Sequence, residues 1–168
     1  FDRVKKWKKI FNNAYLNIGI NWQASTNPDF DKGRSFKLNL FKNISLIQEI
    51  KLFSLQKING LDQLDKKDQT LELNLIDNFD EEVPFVDTAA IIENLDLVIT
   101  CDTSIAHLSG AMGKKTFLLL QKNSEWRWLQ NINYSPWYNS IKIYRQDKQD
   151  EWEFVFKNVK EDIIKLNE

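Results

Sequence analysis

The densest set of side chains able to handle an anion is Asp102-Thr103-Ser104 with His107, directly after the apolar run 97–101. If a strand there runs straight into a helix, the first helical turn offers free N–H groups and the positive end of the helix dipole. That combination is a seat for phosphate. Ser104 or Thr103 can cap such a helix, and His107, near its first turn, can donate a hydrogen bond to a phosphate oxygen or a sugar hydroxyl. A blander reading stays open at this point: Asp102 and Ser104 only cap the helix, and His107 packs inside.

Other candidates follow other apolar runs, where an open α/β sheet places its ligands. Gln23, Ser25, Thr26, Arg34 and Ser35 follow 16–22, Gln56 and Lys57 follow 51–55, and Trp126 and Arg127 follow 116–120. Arg34 suits a diphosphate through a bidentate fork and Lys57 as a point charge, although each taken singly also reads as a solvated surface charge. The tryptophans around Arg127 suit stacking on a base or sugar, with core packing favoured for Trp128 and Trp137. Other chemistries find little support. No GxGxxG follows the first run, and no Walker A or HExxH motif occurs. One Cys and one His make no soft metal cluster. A Ser, a His and an Asp within one short loop do not align as a triad.

The elements that must hold these residues can be read from apolar periodicity. Val4, Trp7, Ile10 and Phe11 predict an amphipathic helix over 2–13, ended by Asn12-Asn13. A strand over 16–22, a polar loop over 23–36, a helix over 38–50 and a strand over 51–55 make one βαβ unit. After a turn-rich stretch, 56–67, come a third strand over 71–76, an acidic loop and a helix over 88–95 with Asp87 or Thr88 as N-cap. Ala89-Ala90 marks a close packing surface on that helix. The strand 97–101 is almost wholly apolar, as in a parallel sheet covered on both faces. A helix over 104–111, strands over 116–120 and 141–144, a loop or broken helix over 123–140 and a closing helix over 159–166 complete the pattern. Alternating strands and helices predict an α/β, Rossmann-like, doubly wound parallel sheet.

At 168 residues, with 23 basic against 24 acidic side chains, the chain fits one domain and carries no broad field for nucleic acid or anionic lipid. We read it as a leading helix over 1–14, an α/β core over 15–146 and a tail with its helix over 147–168. The single cysteine, Cys101, reads as a buried, inert thiol, and no apolar run approaches the ~20 residues of a membrane span. A soluble, cytoplasmic domain is expected. Numbering that begins at Phe1 rather than Met leads us to expect a fragment of a longer chain.

The run 87–113, DTAAIIENLDLVITCDTSIAHLSGAMG, together with EWRWL, SPWY and Arg145-Gln146, resembles the C-terminal glycosyltransferase domain of bacterial tetratricopeptide-repeat proteins, related to the heptosyltransferases of glycosyltransferase family nine. Trp7, Asn21-Trp22, Arg34-Ser35 and SLQK at 54–57 extend the likeness over most of the chain. The resemblance implies the C-terminal, donor half of a GT-B enzyme, in which two Rossmann-like domains face each other and no metal or other cofactor is required. It implies that Asp102, Thr103, Ser104 and His107 hold the donor diphosphate, with Gln23, Arg34 and Lys57 facing the same cleft. The expected nucleotide-sugar-binding set is then Gln23, Arg34, Ser35, Gln56, Lys57, Asp102, Thr103, Ser104, His107, Trp126 and Arg127. The related enzymes often carry a lysine in the first loop, where Lys32 or Arg34 must serve here. The catalytic base is expected in an N-terminal domain outside this chain. Expected partners are a nucleotide sugar, an acceptor glycan, lipid-linked sugar or protein, and the N-terminal domain or repeats of the parent chain. Two competing readings are a degenerate, non-catalytic scaffold domain and a sugar-nucleotide epimerase of the same architecture.

Overall fold

The structure, a computed structural model, describes residues 2–64 and 70–167. The described residues form a six-stranded, all-parallel sheet from β1 (Leu16–Asn21), β2 (Ile50–Ser54), β3 (Leu73–Asn74), β4 (Leu97–Thr100), β5 (Thr116–Leu120) and β6 (Ile141–Arg145). The spatial order is β3-β2-β1-β4-β5-β6, so the winding direction reverses between β1 and β4. Register follows the apolar pattern, with Ile18 opposite Leu52 on one side of β1 and opposite Leu97 on the other.

Successive residues of a strand point to opposite faces, which splits the core in two. Ile18, Ile20, Leu97, Ile99, Phe117 and Leu119 face one layer. It is covered by a 3₁₀ turn at Leu38–Phe41, by the one-turn helix α3 (Lys42–Ser45) and by the closing helix, labelled α6 below (Trp152–Asn167). The opposite face is covered by α1 (Asp2–Lys8), α4 (Val86–Asn94) and α5 (Ser104–Ala111), over Phe53, Leu55 and Val98 near α4 and over Leu118 and Leu120 near α5. Helices on both faces make the sheet doubly wound and explain its nearly continuous apolar strands.

Gly19 lies where β1 passes closest to that second layer. A Cβ there would meet Leu95 Cδ1 at 2.4 Å and Leu55 Cδ1 at 2.8 Å. Both leucines are buried, so Gly19→Ala is expected to lower unfolding free energy by about 2 kcal/mol, read as a lower midpoint in urea.

Several elements differ from expectation. The helix expected over 38–50 is a 3₁₀ turn followed by one α-helical turn, because Phe41 and Ile44 bury into the core within a short crossover. α1 stops at Lys8, several residues before the expected end. The third strand is only two residues long, and residues 65–67 of the expected turn-rich stretch lie outside the described residues. The polar loop after β1 contains a short helix, α2 (Pro28–Asp31), capped by Asn27, whose Oδ1 accepts from the Asp29 N–H at 2.9 Å. α6 begins seven residues earlier than expected, since Trp152, Val155 and Phe156 already line its buried stripe.

The cap of α4 is also corrected. Asp87 and Thr88 lie inside the helix, and the N-cap position is Phe85, in the left-handed region at φ 65°. Its free amides are satisfied from a distance: Asp80 Oδ1 accepts from the N–H groups of Asp87 at 2.7 Å and Thr88 at 3.1 Å, and the Thr88 hydroxyl donates to Asp80 Oδ2. Asp87, freed from capping, turns its carboxylate to α1. It accepts from Trp7 Nε1 at 2.9 Å and from Arg3 at 3.1 Å.

Candidate functional site

The carboxyl ends of β1, β2 and β4 open onto a cleft of about 370 Å³ at the point where strand order reverses. Such a switch point is where open α/β sheets hold ligands, because loops on its two sides leave in opposite directions. Gln23, Gln56, Lys57, Thr103 and Ser104 line it, together with Asn21, Asn59 and Thr88, which were not among the expected nucleotide-sugar-binding residues. The N-termini of α4 and α5 both contribute to its wall.

Asn21 organises the floor. As the last residue of β1 it is 4% exposed, and its Nδ2 donates to Gln56 Oε1 at 2.8 Å. Its Oδ1 accepts from the Thr103 hydroxyl at 2.9 Å. Thr103 is the N-cap of α5, and its Oγ1 accepts from the Ile105 N–H at 3.3 Å. One side chain of β1 therefore fixes the cap that opens α5. Gln56 works in the same way from β2: its Oε1 also accepts from the N–H groups of Trp22 at 3.1 Å and Gln23 at 3.0 Å, and its Nε2 donates to the Gln23 carbonyl at 2.9 Å. The signal available for Asn21 was an amide closing a mostly apolar strand, where burial demands specific partners.

The two cations expected at a diphosphate are both engaged by backbone carbonyls. Lys57 Nζ donates to the carbonyls of Phe79 and Asp80, each at 2.6 Å. Arg34 donates to the carbonyls of Phe30 at 2.6 Å, Asp31 at 3.2 Å and Asp102 at 3.3 Å. Ser35 bridges within the same loop, accepting from the Ala24 N–H at 2.9 Å and donating to Asp31 Oδ1. Arg34 and Ser35 do not line the cleft, but Arg34 ties the loop after β1 to the loop after β4.

Asp102, His107, Trp126 and Arg127 also lie outside the cleft lining. Asp102 is 3% exposed, and its Oδ2 has no hydrogen-bond partner among the described residues. His107 is half-buried against the face of Trp128, ring centroids 5.0 Å apart, and its Nδ1 lies 3.2 Å from the Tyr138 hydroxyl. Burial lowers its pKa below the usual imidazole value; the Asp102 charge opposes this and Arg127 adds to it. A lowered pKa favours the neutral ring, whose Nδ1 either accepts from the Tyr138 hydroxyl or donates to it, according to the tautomer. Cys101 is fully buried, and burial, reinforced by the charges of Asp31 and Asp102, pushes its thiol up, so it stays protonated.

Among the described residues no group of His, Cys, Asp and Glu is placed to hold a metal ion, and no helix is long and apolar enough to cross a membrane.

No protein-family profile matches the chain, and no curated protein resembles it in sequence. Among solved structures it is similar to the ADP-heptose LPS heptosyltransferase II of E. coli, at a TM-score of 0.69 and 9% identity, over 98% of this chain and 51% of that one. The fold is that of one Rossmann-like half of the GT-B type. A further similar structure is the wall teichoic acid polymerase TagF, H444N variant, at a TM-score of 0.44 and 16% identity, over 70% of this chain and 28% of that one. The chain thus spans about half the length of heptosyltransferase II.

Proposed function

We propose that the chain is the donor half of a glycosyltransferase, binding a nucleoside-diphosphate sugar in the cleft at the carboxyl ends of β1, β2 and β4. The observation that carries this reading is the amide-rich start of α5 at the switch point, held by the Asn21–Thr103 hydrogen bond. The diphosphate takes the α5 N-terminus, where helix N–H groups and dipole stabilise the charge that develops on the leaving group. Lys57 and Arg34 supply positive potential from behind their carbonyl contacts, with no metal in the step. Asp102 and His107, outside the cleft lining, support the loop and helix behind the diphosphate rather than touching the sugar. The acceptor, whether glycan, lipid-linked sugar or protein, and the base that activates it belong to a second domain, and tetratricopeptide repeats are the expected neighbours in the parent chain. A cytoplasmic location follows from such a donor.

The test is a titration with UDP, ADP and GDP, read by tryptophan fluorescence and calorimetry. One of the three is expected to bind, and Thr103→Val is expected to weaken it about tenfold by removing the cap and its hydrogen bond. Silence with all three sinks the proposal.

A second reading, a non-catalytic scaffold domain, is favoured by the engagement of both candidate cations with backbone carbonyls. It separates from the first by the same titration, since it requires no nucleotide.

A further inference from the structure

The loop that follows β5 presents two large indoles to solvent: Trp126 is 70% exposed and Trp137 58%. Neither ring hangs on a loose segment. Trp137 Nε1 donates to the Arg127 carbonyl at 2.7 Å, and the N–H groups of Trp137 and Tyr138 both donate to Ser135 Oγ at 3.2 Å. Arg145, from β6, grips the same loop through the carbonyls of Trp128 at 3.1 Å and Leu129 at 2.6 Å and through the Ser124 hydroxyl. Between the two exposed rings in sequence, Trp128 is fully buried and stacked on His107.

Apolar surface held in water is unfavourable, so two fixed, exposed indoles on a loop that also exposes Leu129 and Tyr134 call for a binding partner. The polar groups beside them say which. The Arg127 guanidinium lies 5.9 Å from the Trp126 ring centroid and 3.6 Å from the Glu125 carboxylate. An electron-rich ring face flanked by a planar donor and a carboxylate acceptor suits a saccharide: the C–H-lined face of a pyranose lies on the indole, and its hydroxyls meet the charged pair. Stacking with only two torsions to freeze keeps the ordering cost low.

We propose that Trp126 and Trp137, with Arg127 and Glu125, form a saccharide-binding platform separate from the donor cleft. That a saccharide binds here does not depend on the donor reading above, whose acceptor belongs to the second domain. His107 of α5 packs against Trp128 and Tyr138 of the same segment, at ring-centroid distances of 5.0 and 5.9 Å.

The experiment is a glycan array printed with neutral hexose, N-acetylhexosamine and heptose oligosaccharides, probed with the protein and with W126A and W137A, followed by solution titration of the strongest ligand. The wild type is expected to bind at least one class, and each substitution to weaken it about tenfold or more, with W126F retaining most of the affinity. Both positions are exposed, so circular dichroism and melting temperature are expected to stay unchanged. No binding to any printed saccharide, or binding indifferent to both substitutions, overturns the proposal. A nucleoside diphosphate titration on the same variants distinguishes the two failures. Saccharide binding with nucleotide silence leaves the platform and removes the donor reading, and the opposite result does the reverse.

Discussion

Asn21→Ala is expected to weaken nucleoside-diphosphate binding about 100-fold and to lower unfolding free energy by about 3 kcal/mol. The substitution removes the acceptor of the Thr103 hydroxyl and the donor to Gln56 at once. Gln56 Oε1 keeps its two backbone donors and the Thr103 hydroxyl keeps Thr100 Oγ1 at 3.2 Å, so the cost comes from two lost buried bonds, on the order of 1–3 kcal/mol in all, plus the cavity left by the side chain. The loss of affinity has a separate origin, since Thr103 then caps α5 from an unfixed position and the amides at the helix start no longer converge. Calorimetry with the three diphosphates and urea unfolding measure the two effects independently. Asn21→Asp sharpens the test, because a carboxylate still accepts from Thr103 but faces Gln56 Oε1 as a second acceptor. It is expected to fall between wild type and alanine in affinity. Unchanged affinity in Asn21→Ala means that the floor of the cleft does not position a ligand.

Asp87→Ala is expected to undock α1 from α4, again with a loss of about 3 kcal/mol. Asp87 is 3% exposed, and its carboxylate holds the Trp7 indole N–H, the Arg3 guanidinium and, through Oδ2, the Asp80 N–H at 3.1 Å. Burial alone raises the Asp87 pKa, but the hydrogen bonds from Trp7, Arg3 and Asp80 and the charge of Lys6 outweigh it, so the net direction is down. A folded-state pKa below the unfolded one means that the unfolded chain binds the proton more tightly. The stabilisation is therefore complete above the ordinary aspartate value of about 3.9 and is lost as pH falls toward the lower folded value. Urea unfolding of wild type and Asp87→Asn from pH 7 to pH 3 checks this. The stability gap is expected to be widest at neutral pH and to narrow below about pH 4. A gap independent of pH would show that Asp87 acts through shape rather than charge.

The sheet was legible wherever burial on both faces leaves an unbroken apolar run, as at 97–100 and 116–120. The start of α5 was legible because Thr103-Ser104 follows such a run directly. Elements whose shape is set by distant contacts were not. The 38–45 crossover has helical spacing but is confined to single turns by the space over the sheet, and the cap of α4 comes from Asp80, seven residues before Asp87, where no local capping pattern points to it. Residue types in the candidate site were partly legible. Gln23, Gln56, Lys57, Thr103 and Ser104 do meet in one cleft, whereas Arg34, Ser35, Asp102, His107, Trp126 and Arg127 lie around it in separate contacts. Spacing tells which strand end a residue leaves from, but not whether its head group turns to the cleft or to a neighbouring carbonyl. For Lys57 that choice was made by a carbonyl 22 residues away, and for Arg34 by the nearby carbonyls of Phe30 and Asp31 together with that of Asp102, 68 residues on.

The grip of Arg34 on the carbonyl of Asp102 joins two loops that the chain order keeps far apart. The segment after β1 is thereby bolted near both of its ends, at Ser35 to Ala24 and at Arg34 to the far loop. These fastenings enclose α2 and its Asn27 cap, so a change of length there has to be absorbed within the loop and leaves the pairing of β1 with β4 untouched.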